Sequence, residues 1–186
     1  PKVFYHYGRL LFDMGRYAES SSMLSDAVKE DSENTDYKIA YGLSLEKERK
    51  FKEVIALLKN DENKKWKKEQ LLGNAYYETK EYDQALKKID AAIVLNSGIM
   101  SLYQRRGEIL YAIKDFAQAQ QAVDTAVMLD IKDFDNYMLY AKILIARGDF
   151  KGAVEKIDEA EKIDRTNQEL FLLKGIVYKN LDNYID

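Results

Sequence analysis

Six small residues, Gly8, Gly42, Gly73, Gly107, Ala141 and Gly175, stand at successive separations of 34, 31, 34, 34 and 34. A second series, Tyr17, Phe51, Tyr82, Phe116, Phe150 and Tyr184, is aromatic at every member and follows the first by nine residues each time. Two registers locked at one period point to a repeat architecture, in which each unit buries its apolar face on its neighbours.

Further columns keep the period: Leu11, Leu45, Tyr76, Leu110, Leu144 and Tyr178, then Leu24, Leu58, Ile89, Val123 and Ile157. Alanine recurs at Ala85, Ala119 and Ala153, and again at Ala27, Ala92, Ala126 and Ala160. Apolar spacings of three, four and seven within a repeat are helical, as in Tyr103, Gly107, Leu110 and then Ala119, Val123, Ala126. The only proline is Pro1, so nothing in the interior forbids long helices, and the fold class is all-α. Each repeat reads as two helices broken just before the aromatic, at Met14-Gly15-Arg16, Glu48-Arg49-Lys50, Thr79-Lys80-Glu81, Ile113-Lys114-Asp115, Arg147-Gly148-Asp149 and Leu181-Asp182-Asn183. The aromatic then anchors the second helix on the first, and the small residue lets the pair approach closely.

A 34-residue helix-turn-helix with small, aromatic and alanine columns at these offsets resembles the tetratricopeptide repeat (TPR). The resemblance implies a right-handed superhelical solenoid of five full repeats, about 1–34, 35–65, 66–99, 100–133 and 134–167, plus the first helix of a sixth in 168–186, all one array. Two departures stand out. The proline usual near the end of the repeat is absent, which leaves the connecting turns to capping residues such as Asn96-Ser97-Gly98 and Thr166-Asn167. The second repeat is three residues short, has Lys38 where an aromatic is expected and Asp61 where others have alanine, so its second helix should end early, near Asn60. Stopping after Tyr184 would leave an apolar face open, and more protein or a partner is expected there.

Charge gives no global direction: 29 basic against 32 acidic side chains leave a net charge of -3. Without cysteine there is no disulfide framework or thiolate metal site, and the compartment stays open. A single histidine, His6, forms no metal cluster, no phosphate-binding glycine loop is present, and no apolar run is long enough to span a membrane. No cofactor and no catalytic set is expected, so the chain reads as a binding module rather than an enzyme.

In TPR proteins the first helices of successive repeats line a concave groove. The resemblance therefore implies a peptide-binding surface at Tyr5, Arg9, Asn74, Tyr77, Gln104, Arg105, Tyr111, Met138 and Lys142. Asn74, Gln104 and Arg105 would hydrogen-bond a peptide while Tyr77 and Tyr111 pack on it; alternatively the tyrosines pack between neighbouring first helices. An apolar group, Leu139, Ile145, Leu172 and Ile176, is expected to pack internally or to meet further C-terminal chain, the alternative being an exposed apolar patch that forms a second sub-site. The lysine and asparagine set with which one TPR subgroup clamps chaperone C-terminal tails is not reproduced: with Asn74 matched, Gln70, Arg105, Asp135 and Leu139 fill the other places. The run Lys64-Lys65-Trp66-Lys67-Lys68 could meet phosphates, yet reads better as a solvated turn with Trp66 packed at the seam, and no nucleic-acid partner is expected. The partner implied is a protein or peptide. The alternative is a self-associating module that pairs through the open C-terminal edge.

Overall fold

A computed structural model describes residues 1–182, so Asn183 and Tyr184, the last of the aromatic series, lie outside the described residues. The described residues form eleven α-helices, with no strand among them. They fall into two compact bodies, Pro1–Ser97 and Gly98–Asp186.

The N-terminal body holds α1 (Lys2–Asp13), α2 (Tyr17–Glu30), α3 (Thr35–Lys47), α4 (Phe51–Leu58), α5 (Trp66–Glu78) and α6 (Tyr82–Leu95). Each helix packs on the next in the chain, and α1, α3 and α5 also touch one another in sequence, which makes the odd helices one layer. The C-terminal body repeats the plan with α7 (Met100–Ala112), α8 (Phe116–Leu129), α9 (Phe134–Ala146), α10 (Phe150–Ile163) and α11 (Gln168–Asp182). There α7, α9 and α11 form the odd layer.

Five turns inside the helix pairs share one geometry. Gly15, Arg49, Lys80, Lys114 and Gly148 all have φ between 59° and 79°. At the first, the Gly15 amide donates to the Phe12 carbonyl and the Arg16 amide to the Leu11 carbonyl, each at 2.9 Å. The same two bonds recur after α3, α5, α7 and α9. This is the Schellman ending, which satisfies two carbonyls that the helix leaves unpaired and requires one left-handed residue. Glycine takes that conformation freely at Gly15 and Gly148, whereas Arg49, Lys80 and Lys114 hold it against their Cβ.

Side-chain caps open several odd helices. Asn34 accepts from the Tyr37 amide, Asp133 from the Asn136 amide at 2.8 Å and Asn167 from the Glu169 amide at 2.9 Å. The expected capping run Asn96-Ser97-Gly98 is followed by Ile99 at the cap position of α7, which provides no side-chain cap.

The repeating columns are the core. Leu24, Leu58, Ile89, Val123 and Ile157 are buried, as are all seven alanines of the two alanine columns. In place of the first of these alanines the N-terminal pair has Ser20, which is buried and donates to the Gly8 carbonyl at 2.8 Å. Val54 and Leu58 tie the short α4 to a cluster with Leu45, Leu71, Leu72 and Ala75.

As the sequence predicts, the second helix of the second pair is short. It has 8 residues where α2, α6, α8 and α10 have 14. It ends at Leu58, two residues ahead of Asn60, and residues 59–65 run on as a loop.

Candidate functional site

The loop after α4 is held by a buried charge network. The Asp61 side chain is only 1% exposed and accepts from Lys38 Nζ at 2.9 Å, from Thr35 Oγ1 and from the Asn63 amide at 3.0 Å. The Asn63 side-chain amide donates to Thr35 Oγ1 at 2.7 Å, closing the loop on α3. Lys68, at the start of α5, is 3% exposed; its ammonium donates to the Asp61 carbonyl and pairs with Glu69 at 3.2 Å, and Lys88 reaches the other Glu69 oxygen at 3.0 Å. Burial pushes the Asp61 carboxyl up, but the bonds from Lys38, the Asn63 amide and Thr35 outweigh it and leave the pKa below the ordinary carboxylate value.

This network sets the position of the next residues. Lys64, Lys65, Trp66 and Lys67 form one wall of a groove of about 560 Å³ in the N-terminal body, against the odd-helix layer. Its other lining includes Tyr5, Arg9, Phe12 and Asp13 from α1, and Asp36, Ile39, Ala40 and Leu43 from α3. Ile39 and Ala40 are buried and Tyr5, Phe12, Leu43 and Trp66 half-buried, so the floor is apolar and aromatic. The rim is charged and unbalanced: Arg9, Lys64, Lys65 and Lys67 stand against Asp13 and Asp36. Lys65 pairs with Asp36 at 2.8 Å. Lys67 lies over the Trp66 ring at 5.5 Å and the Arg9 guanidinium over the Tyr5 ring at 5.8 Å, which leaves both cations facing solvent on their outer side.

Of the nine residues expected to meet a ligand, Tyr5 and Arg9 line this groove. Tyr5 stacks on Tyr37 with ring centroids 4.7 Å apart. Asn74 and Tyr77 lie in the same body outside the groove lining. The Asn74 amide donates to Glu46 Oε1 at 2.9 Å, tying α5 to α3. Tyr77 meets Tyr82, the aromatic that opens its own second helix, at 5.8 Å. Gln104, Arg105, Tyr111, Met138 and Lys142 belong to the C-terminal body. Gln104 is half-buried; Arg105 pairs with Glu108 at 2.8 Å and Lys142 with Glu169 at 2.7 Å. Tyr111 meets Phe116 at 5.7 Å, the counterpart of the Tyr77 contact and of Phe12 on Tyr17 at 5.3 Å. These aromatics therefore join the two helices of one pair, an arrangement different from packing between neighbouring first helices.

Met138 is corrected outright: at 2% exposure it offers a ligand no surface. Helix α9 is packed on α7, α8, α10 and α11 together, and eight of its 13 residues are buried. Leu139 is buried for the same reason, while Leu172 and Ile176 on α11 are exposed. The run Lys64–Lys68 is corrected as well. Lys68 is buried in the charge network, and Trp66 faces the groove. The shortened repeat and Asp61 in an alanine column were the signals that could have revealed this wall.

The tetratricopeptide repeat family model matches residues 1–34. No curated protein matches the chain. Among solved structures, a MamA protein aligns with TM-score 0.78 and 16% identity over 88% of this chain and 91% of its own. MamA residues 41 to the end from Desulfovibrio magneticus RS-1 gives 0.81 and 14% over 90% and 96%. YrrB, a TPR protein with an unusual peptide-binding site, gives 0.78 and 15% over 92% and 90%. At these identities the likeness is one of fold. The tetratricopeptide repeat model thus covers the first helix pair, and along the other pairs the chain is similar in fold to these tetratricopeptide-repeat structures.

Proposed function

We propose that the chain is an adaptor, with repeats bounded near 1–34, 35–65, 66–99, 100–133, 134–167 and from 168, that docks a segment of a partner protein in the groove of its N-terminal body. The observation that carries this reading is the groove itself: an apolar floor from the odd-helix layer with aromatic walls and a charged rim. Such a surface offers a few buried anchors surrounded by polar contacts, the usual anatomy of a peptide site. Binding rather than catalysis is the reading supported by the scaffold fold. No described helix is long and apolar enough to cross a membrane.

Peptides selected from a displayed random library on the intact chain test it. Trp66→Ala and Tyr5→Ala, checked for unchanged helicity, should lose the selected peptides. Binding kept at full strength in both variants would remove the groove from consideration. Substituting Asn74, Arg105 and Tyr111 together asks separately whether the odd-helix faces beyond the groove contribute.

A second reading, self-association, is favoured by exposed apolar faces on the terminal helices. Val3, Tyr7, Leu10 and Met14 form a stripe along α1, with Val3 79% exposed. The equivalent positions of Tyr37, Leu102 and Leu170, and of Ser44, Ala75, Ile109 and Val177, are buried in later pairs. On α11, Phe171, Leu172, Ile176 and Tyr178 are exposed. Sedimentation over a hundredfold concentration range distinguishes the two, since a concentration-independent monomer is the adaptor's result.

A further inference from the structure

We infer that the groove of the N-terminal body selects an acidic segment carrying an apolar anchor, and that the lysine wall created by the shortened second helix pair is its specificity element. The inference rests on the groove reading and adds the chemistry of the guest. Along the lining, Lys65 and Asp36 neutralise one another at 2.8 Å. That leaves Arg9, Lys64 and Lys67 against Asp13 alone. None of these three cations has a carboxylate partner among the described residues, and all three are exposed. A guest with carboxylates on either side of its anchor therefore gains charge complementarity at the rim without stripping buried charges of water. A basic guest meets like charge on both sides. Chain carbon on the floor at Ile39, Ala40 and Leu43 accepts the anchor, and Trp66 in the wall offers it an aromatic face.

The position of the wall is specific to this helix pair. Where α2, α6, α8 and α10 complete 14 residues, α4 stops after 8 and the chain turns on the buried Asp61. The turn delivers Lys64 to Lys67 to the groove in place of a helix end. Asp61 acts through Lys38, Thr35 and Asn63 and is a positioning residue.

Trp66 is the sole tryptophan of the chain, so its emission reports directly on the groove wall. The test titrates the intact chain with three sets of end-blocked octapeptides that share two leucines and a phenylalanine and differ in charge. One set carries Glu and Asp, one Gln and Ser, one Lys and Arg. End-blocking removes any contribution from a terminal carboxylate. A single-stranded oligothymidylate of the same net charge as the acidic set is the fourth probe. The acidic set should shift Trp66 emission at concentrations about tenfold lower than the neutral set, with the advantage shrinking as salt rises through the Debye range. Lys64→Glu with Lys67→Glu, both exposed and without ion-pair partners, should reverse the preference toward the basic set, and Lys64→Gln with Lys67→Gln should abolish it. Equal or better binding by the neutral or basic set overturns the acidic preference and leaves the groove reading intact. Binding of the oligothymidylate without the peptides overturns both in favour of a nucleic-acid surface. No shift with any probe overturns both as well.

Discussion

The small-residue column makes a quantitative prediction because the chain contains its own control. An alanine Cβ at Gly107 would lie 2.7 Å from Val123 Cγ2 and 3.3 Å from Leu139 Cδ2. At Gly175, the equivalent place on α11, nothing among the described residues lies within 4 Å. Carbon atoms settle near 3.5 to 4.0 Å apart, so at Gly107 the two helices or the valine must give by roughly 1 Å. Val123 is buried and β-branched, with one strongly favoured χ1 in a helix, so a retreat to another rotamer is costly. Overpacking of this kind costs about 1 to 3 kcal/mol. Against it stands the helix-propensity gain of Gly→Ala, about 0.8 to 1 kcal/mol. Gly107→Ala should therefore be destabilising by about 0 to 2 kcal/mol, while Gly175→Ala gains the propensity term unopposed.

Urea unfolding of the whole chain measures the first, and hydrogen exchange of the α11 amides the second, since a terminal helix can open on its own. In a Val123→Ala background the harm from Gly107→Ala should fall by 1 kcal/mol or more, on the order expected for residues in direct contact. The same substitution at Gly42 should be milder, because its Cβ meets Leu71 Cδ2, the far end of a flexible side chain. If Gly107→Ala stabilised the chain as much as Gly175→Ala, close helix approach would not be what this column is for.

Six further substitutions have expected signs. Asp61→Ala restores the alanine found in the other repeats, yet it strips Lys38 and Lys68 of their buried carboxylate and should cost about 3 to 5 kcal/mol in urea unfolding. The folded pKa of Asp61 is lowered, so its contribution is fully present above the ordinary carboxylate value and lost as pH falls through the folded one; Asp61→Asn should flatten that acid limb in a circular-dichroism titration. Lys80→Gly and Lys114→Gly relieve left-handed backbone at φ 64° and 65° and should each raise stability by up to about 1 kcal/mol, whereas Gly15→Ala at φ 74° should lower it. Asn136 is fully buried, both its side-chain amide atoms lack a hydrogen-bond partner among the described residues, and its counterparts Leu102 and Leu170 are buried too. Asn136→Leu should gain about 1 to 3 kcal/mol, read as a rise in the thermal midpoint.

The pairing of helices was legible in the sequence because it follows from local rules. Period, turn position and the aromatic that joins each pair are all written in columns, and Phe12 on Tyr17 or Tyr111 on Phe116 needs only the two helices of one pair. Early termination of α4 was legible for the same reason: a deletion of three residues and an aspartate in an alanine column. Met138 was misread because burial at its position depends on how tightly α9 is enclosed by α7, α8, α10 and α11, and no single repeat carries that information. Tyr77 and Tyr111 each meet the aromatic that opens the next helix, a contact that neither alternative for them named.

The groove wall illustrates how a local departure from the repeat reshapes the surface. In a regular repeat the column position of Asp61 is filled by a buried alanine, as at Ala27, Ala92, Ala126 and Ala160. A carboxylate there cannot be buried without partners, and this body supplies them from three elements: Lys38 and Thr35 on α3, Asn63 in the loop and Lys68 on α5. Satisfying Asp61 fixes the loop, and fixing the loop settles which lysines of the 64–68 run are exposed. Lys68 turns inward to the network, while Lys64, Trp66 and Lys67 line the groove. One buried charge thus separates a run of like residues into a buried lysine and an exposed groove wall. It follows that Asp61→Ala should alter Trp66 emission before any ligand is added, and a spectrum unchanged in a folded Asp61→Ala chain would disconnect the network from the groove.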